Sequence, residues 1–359
     1  MTKKVLSVLC AQAGAQLRTL RLDAPACARL KSSAVVAALH AGGCAGLRRL
    51  VAHTAFWLSP DLVAQLVAAC PKLEHTACMV RCASLAEATQ AAAALPGPLT
   101  LAVSGHDSSD RTHLLRGLLL RSVTALELLD GRLSQAEVAA LCAALRVNTT
   151  LKALELCPSC CIGDAGAAQL GEALRVNSTL TSLKLIANDI GDTGAGALGE
   201  ALLENRALRQ LEAEGNRIGD AGALAFDNAL RVNRTLTALK LNRNCIGAAG
   251  VIALAQAVHV NGKVKIVSLS RNDIGDAGAI ALSSMLCTNR ALSWLDLSHC
   301  CIGAAGAAAL VELLRATRTL TFLNLAGNNI DDAGMDALQR AVRQNNDVTS
   351  VYSRHGLYL

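Results

Sequence analysis

Residues 180–204 read LTSLKLIANDIGDTGAGALGEALLE, and two periods meet inside them. Leu183 and Leu185 alternate with Ser182 and Lys184, the period-2 pattern of a strand with one buried face. Further on, Leu198, Ala201 and Leu202 fall on the 3.6-residue period of a helix. Asn188 stands between the two, placed to bond the loose backbone groups at the strand's end. Ile190-Gly191-Asp192-Thr193-Gly194 then supplies turn-permissive glycines and an Asp for the helix N-terminus. The helix ends before Asn205, where a left-handed residue would reverse the chain.

The same unit recurs in both directions. Its opening Leu or Val falls at Val123, Leu151, Leu180, Leu208, Leu236, Val264, Leu292 and Leu320, every 28 residues except for one step of 29, with a further partial unit from Val348. The extra residue lies around Cys157-Pro158-Ser159-Cys160, in the loop after a strand. The helix-end Asn recurs at Asn148, Asn177, Asn205, Asn233, Asn261 and Asn289. A fixed period of this length marks stacked strand–helix repeats that share one core.

The pattern L-x-x-L-x-L-x-x-N/C-x-I/L-G-D-x-G-A-x-x-L resembles the ribonuclease-inhibitor-type leucine-rich repeat. Asn188, Asn216, Asn244, Asn272 and Asn328 fill the asparagine position, and Cys160 and Cys300 its cysteine variant. Residues 177–183 (NSTLTSL) and 218–222 (IGDAG) are most similar to the repeat domains of NOD-like receptors. The resemblance implies an α/β leucine-rich-repeat solenoid, a horseshoe with a parallel β-sheet on its concave face and α-helices on its convex face. It also implies a non-enzymatic protein-interaction module of the cytoplasm.

Three segments follow from the spacing: irregular repeats over 1–122, regular 28-residue repeats over 123–347, and a partial repeat with a tail over 348–359. Upstream anchors stand at Leu17, Leu47 and Leu73, with strands expected at Leu20–Leu22, Leu50–Ala52 and Leu99–Val103. Residues 66–74 resemble the cysteine-containing repeats that accompany F-boxes. A separate N-terminal domain with a boundary near 105–110 is the alternative.

Composition excludes several classes. Of 359 residues 52% are hydrophobic but only 2% aromatic, so the core is built of small aliphatic side chains rather than left disordered. No run of 18 apolar residues is uninterrupted, so nothing is expected to span a membrane. Residues 1–100 hold 10 Lys or Arg against 4 Asp or Glu, while the remainder holds 24 of each, which places the whole surplus of +6 at the N-terminal end. That surplus is too thin and too poor in aromatics for nucleic acid. Fourteen cysteines spread through a long chain read as reduced thiols rather than a disulfide framework. The apolar run from Val5 to Cys10 after Lys3 and Lys4 is too short for a signal peptide.

Function is then a question about the residues that flank the buried strand leucines and point away from the core. Adding 28 gives one column of Glu127, Glu155, Lys184, Glu212, Lys240, Ser268, Asp296 and Asn324, whose middle alternates in sign. A second column ends in Ile266, Trp294 and Phe322, an apolar stripe in a chain with seven aromatics, which is either a protein-binding hot spot or a surface covered by a C-terminal cap. Beside them stands a third column that includes His299; in and around it, Arg217, Arg243 and Arg271 from three successive repeats are either a small basic rim suited to an acidic, apolar partner surface or solvated arginines on loops. The candidate binding residues are therefore Ile266, Trp294, Phe322, Asp296, Lys240, Arg243, Arg271 and His299. The expected partner is a protein, with no cofactor, metal, nucleic acid, membrane or small-molecule substrate.

Other motifs have plainer readings. Gly194-x-Gly196-x-x-Gly199 has the form of a dinucleotide loop, but Gly194 recurs in every repeat, so packing accounts for it. Cys157-x-x-Cys160 lacks a second ligand pair nearby. His106-Asp107-Ser108 cannot converge as a triad from consecutive positions. Two further functions stay open: GTPase activation, since Ran GTPase activators use this repeat and Arg217, Arg243 or Arg271 could stabilise a transition state, and an adaptor arm or fragment of a NOD-like-receptor-type protein.

Overall fold

The computed structural model describes residues 10, 12, 16–22, 31–52, 57–77, 79–83, 85–95, 99–103, 123–129, 131–345, 347–353 and 356–358. Lys3 to Leu9, His106-Asp107-Ser108 and the alternative boundary near 105–110 lie outside them. The chain forms two compact units, one of residues 1–132 and 143–160, the other of residues 133–142 and 161–359.

The first unit contains β1 (Thr19–Leu22), β2 (Arg49–Ala52), β3 (Trp57–Leu58), β4 (His75–Ala77), β5 (Met79–Cys82), β6 (Leu99–Val103), β7 (Val123–Leu128) and β8 (Ala153–Leu156). Strands β1, β2 and β4 pair in parallel, as do β3, β5, β6, β7 and β8 in that order. The strands expected at Leu20, Leu50 and Leu99 are present. The sequence around Met79 lacks the leucine alternation, and β5 forms there all the same by burying Val80 and Cys82. Burial pushes the Cys82 thiol up to about 12.

In the second unit β9 (Ser182–Leu185), β10 (Gln210–Glu212), β11 (Ala238–Lys240), β12 (Ile266–Ser268), β13 (Trp294–Asp296), β14 (Phe322–Asn324) and β15 (Ser350–Ser353) pair in parallel and in chain order, and β16 (Gly356–Tyr358) folds back antiparallel on β15. Register is direct: Leu183, Leu211, Leu239, Val267, Leu295, Leu323 and Val351 lie opposite one another and are all buried. One repeat buries Leu180, Leu183, Leu185, Ile190, Leu198 and Leu202, each worth roughly 1.5–3 kcal/mol.

Hydrophobic burial does not set the loop paths; polar side chains do. Asn216 Nδ2 donates to Leu185 O at 2.8 Å, and its Oδ1 accepts from Asn188 N at 2.9 Å and Ile190 N at 3.0 Å, all in the preceding repeat. Asn244, Asn272 and Asn328 repeat the arrangement. Cys300 keeps half of it. Its thiol, pushed up to about 12 by burial, donates to Leu269 O at 3.3 Å, but it has no acceptor for Ile274 N. Gly275, which lacks the capping Asp of a preceding repeat because Ala248 stands there, turns left-handed at φ 60° and donates to Cys300 O at 2.9 Å, as Gly163 at φ 62° donates to Asn188 O.

The helix-end asparagines form a second ladder and correct the expectation of a left-handed residue. Asn177, Asn205 and Asn233 are extended, with φ of −74°, −66° and −70°. Asn205 Nδ2 donates back to Leu174 O and Asn177 O, while its Oδ1 accepts from Ala207 N and Leu208 N, so the side chain itself makes the turn. The left-handed position lies on the other border of the sheet, at Ala187, Gly215, Arg243, Arg271, His299 and Gly327.

Asp192 also acts across the repeat boundary. Its Oδ1 accepts from Gly219 N at 2.7 Å and Gly222 N at 2.9 Å, capping the next helix, Asp220–Val232, rather than its own. Asp164, Asp220 and Asp276 do the same. The glycines are sterically required as well, since a Cβ on Gly222 would come within 2.7 Å of Ile218. A Cβ on Gly194 would meet Ile190 at 2.8 Å and one on Gly199 would meet Ala225 O at 2.9 Å, so packing accounts for the first and last glycines of the G-x-G-x-x-G pattern, while a Cβ on Gly196 would meet nothing within 4 Å.

Two outcomes test these ladders. Asp220→Ala should lower stability by about 1 kcal/mol, with amide exchange quickened at Gly247 and Gly250 rather than in its own helix; exchange quickened only within Asp220–Val232 would disprove capping across the boundary. Cys300→Asn should supply the missing acceptor and raise the urea midpoint, a gain of roughly 0.5–1.5 kcal/mol.

Candidate interaction face

The face opposite the core on β11 to β14 carries three rows of side chains, one residue per strand in each. The first is Ala238, Ile266, Trp294 and Phe322, brought side by side by direct register. Trp294 is 39% exposed. Its ring stacks on Phe322, with centroids 3.5 Å apart and planes within 10°, and Phe322 meets Tyr352 at 5.4 Å. Strands β15 and β16 continue the sheet edge to edge, so Trp294 and Tyr352 stay open to solvent. Tyr352 was missed in the sequence although it stands 28 residues after Asn324, one further step in the same column.

The second row is Lys240, Ser268, Asp296 and Asn324. Lys240 Nζ lies 2.6 Å from Glu212 Oε1, one member of the expected alternating ladder. Toward the stripe the row turns to hydrogen bonds. Asn242 Oδ1 accepts from Ser268 Oγ at 2.7 Å and Ser270 N at 2.9 Å, and Ser298 Oγ lies 2.8 Å from both Ser270 Oγ and Asp296 Oδ1. This network fixes the Asp296 carboxylate, two residues along β13 from Trp294, through Ser298 N and Oγ.

The third row is the left-handed position. Arg243, Arg271 and His299 occupy it with φ of 52°, 57° and 54°, where Gly215 and Gly327 do so without strain. Arg243 faces Glu214 at 3.6 Å, and Arg217 pairs with Asp189 at 3.0 Å. Arg271 is exposed and has no ion pair among the described residues. A Cβ on Gly327 would lie 2.3 Å from the His299 ring, so the imidazole rests against bare backbone. The eight sequence-derived residues thus lie on neighbouring strands and loops, and what sequence reasoning missed is that three of them sit in strained backbone.

Among the described residues no group of three or more His, Cys, Asp or Glu side chains converges to hold a metal ion. No helix among them is long and apolar enough to cross a membrane.

Arg271→Gly tests the strain. Relief of a left-handed arginine, offset in part by the freer unfolded glycine, should stabilise the protein by about 0.5–1 kcal/mol in urea unfolding; a loss of stability would show that Arg271 contributes to the fold.

A family model described as Leucine Rich repeat matches residues 176–199, 232–255, 260–283, 288–311 and 317–338. No curated protein is similar enough in sequence to count as a match. Among solved structures, the yeast Rad7 and Elc1 complex contains a chain that aligns with a TM-score of 0.56 at 15% identity, over 93% of this chain and 86% of that one. A chain of the TLR13–ssRNA13 complex aligns with a TM-score of 0.44 at 18% identity, over 88% of this chain and 40% of that one. The repeat pattern and the first of these alignments agree on an α/β leucine-rich-repeat solenoid.

Proposed function

We propose that this leucine-rich-repeat protein is a non-enzymatic interaction module that binds a protein partner on the exposed sheet face of its second unit. One observation carries the reading: Trp294, in a chain with seven aromatics, is left 39% exposed on a sheet strand and stacked on Phe322. A solvent-facing aromatic pair contributes little to the core and is the usual anchor of a protein interface. Ile266 lengthens the anchor, Lys240 and Asp296 frame it with fixed charge, and Arg243, Arg271 and His299 line the rim. No cofactor, nucleic acid, membrane or small-molecule substrate enters this reading.

The 28-residue period, with Asn or Cys at the ladder position, supports a ribonuclease-inhibitor-type repeat of the kind NOD-like receptors carry. The described cysteines are free thiols, Cys300 among them as a working hydrogen-bond donor, which fits the reducing cytoplasm.

The test is affinity capture from source-cell lysate, comparing the wild type with Trp294→Ala/Phe322→Ala. The double variant should keep its circular-dichroism spectrum, with a loss of about 0.5–1.5 kcal/mol from the stack, and should lose the enriched partner. A partner retained by the folded variant would refute the sheet-face assignment.

A further inference from the structure

We propose that the border where helices hand the chain to strands in the second unit docks an acidic, apolar-spaced segment of the protein partner, an inference that rests on the interaction reading above. The border is built by the helix-end asparagine ladder. Asn233 Nδ2 bonds Asn205 O, and Asn261 Nδ2 bonds Asn233 O, so successive loops are held in register. A cation stands one or two residues after Asn205, Asn233, Asn261, Asn289 and Thr317, namely Arg206, Arg234, Lys263, Arg290 and Arg318, all exposed, whereas Asn177 and Asn345 are not followed by one. Arg209 and Lys265 add two more at the entries to β10 and β12.

Residues 205–209, 233–237, 261–265, 289–293 and 317–321 contain these seven cations and no carboxylate. Arg318 is paired, with Asp347 at 3.8 Å. Arg206 and Arg234 bond only backbone oxygens, those of Asn205 and Leu230, which leaves their charge uncompensated. Among the described residues Arg209, Lys263, Lys265 and Arg290 have no ion pair. The opposite border differs: Arg217 and Arg243 there face Asp189 and Glu214. Charge that sums to zero along residues 101–359 is therefore unevenly placed, with paired arginines on one border beside the unpaired Arg271, and on the other a run of cations from Arg206 to Arg290 before the Arg318–Asp347 pair.

Strands lie about 4.8 Å apart, so the border presents a line of positive charge with a cation every strand or so over five repeats. Alternate side chains of an extended peptide are spaced roughly 6.6 Å, a comparable pitch. The same border adjoins the apolar stripe, since Lys265 immediately precedes Ile266 and Arg290 stands four residues before Trp294. A segment that alternates acidic and apolar residues satisfies both at once. A nucleic-acid strand fits less well. The Trp294 and Phe322 rings stack directly on each other, which leaves no gap between them for a base.

The experiment is fluorescence anisotropy with two labelled probes, an alternating Glu-Leu peptide and an oligouridylate of equal charge. Wild type is compared with Arg206→Glu/Arg234→Glu/Arg290→Glu and with a helix-side control of equal charge change, Arg315→Glu/Arg340→Glu/Arg343→Glu, both first shown to be folded by circular dichroism. The peptide should bind wild type, weaken about tenfold with the border variant, weaken on raising salt from about 50 to about 200 mM, and bind the control within about twofold. Peptide binding that the border variant leaves unchanged, no peptide binding, or tighter binding of oligouridylate would each overturn the proposal. Trp294→Ala/Phe322→Ala separates the two readings: if the peptide is lost with the border variant but kept by the aromatic one, the border stands and the sheet-face assignment falls.

Discussion

A strand or helix that ends inside a stack of repeats leaves backbone donors and acceptors with no partner in their own repeat and no water to take them. In this protein three side chains per repeat meet that need across the boundary. Asn216 satisfies the strand-exit loop of the repeat before it, Asn205 ties its helix end to the previous loop, and Asp192 caps the helix of the repeat after it. The 28-residue period follows from this reciprocity, because an insertion in one repeat would carry its side chains out of reach of two neighbours. The single insertion, near Cys157 to Cys160, lies in the first unit, where Cys160 Sγ still reaches Leu128 O at 3.6 Å.

The exceptions support the rule by the way they are offset. Ala248 stands where Asp192 and Asp220 have their carboxyl, so the helix at Gly275 starts from a left-handed glycine bonded to Cys300 O. Ala304 is a second such loss, and there the following repeat replaces its glycine with Asp331, which caps its own helix through Gly334 N at 2.8 Å. Thr317 interrupts the asparagine ladder; its Oγ1 accepts from Leu320 N at 3.1 Å, and Thr319 Oγ1 reaches Asn289 O at only 3.4 Å. Each gap in a ladder is closed locally by a different group, as the cost of an unpaired buried amide requires.

What could be read from the sequence was set by what period-2 and 28-residue spacing encode. Leu183, Leu211 and their equivalents announce both burial and register, and Trp294 beside Phe322 follows from the same addition. Contacts between repeats are a different kind of information. Asp192 looks like the cap of the helix it begins, and only coordinates show its carboxylate on Gly219 and Gly222. Asn205 looks like a left-handed terminator because Asn tolerates that region, yet its side chain is worth more as a bridge. Upstream, β5 carries Met79-Val80-Arg81-Cys82, and no leucine pattern marks it. Charge was hidden by summation along the chain: a balance of 24 against 24 conceals Arg206, Arg234 and Arg290 gathered on one border.

The residues that the ladders do not explain are the ones left for recognition. A left-handed arginine costs about 1 kcal/mol relative to glycine in the same conformation, and Gly215 and Gly327 show that glycine fits the position. Strain alone does not mark function, since Ala187 bears it too with no side chain to offer a partner. Arg243 is accounted for by Glu214. Arg271 is the case in which strain, exposure and the absence of an ion pair among the described residues coincide, on the loop next to β12 and beside the aromatic stripe. The cations of the opposite border, the Asp347-paired Arg318 aside, share the last two properties and carry no strain, because the extended asparagine before each of Arg206 and Arg234 holds the loop without a left-handed residue. The two borders therefore bear on recognition differently: one offers the strained, unpaired Arg271 at the edge of an aromatic anchor, the other a row of exposed cations of which Arg318 alone is paired among the described residues. A partner that engages both must cross the stripe formed by Ile266, Trp294 and Phe322, which places the apolar contact at the centre and the charges at the rim, the arrangement in which desolvation strengthens the anchor most.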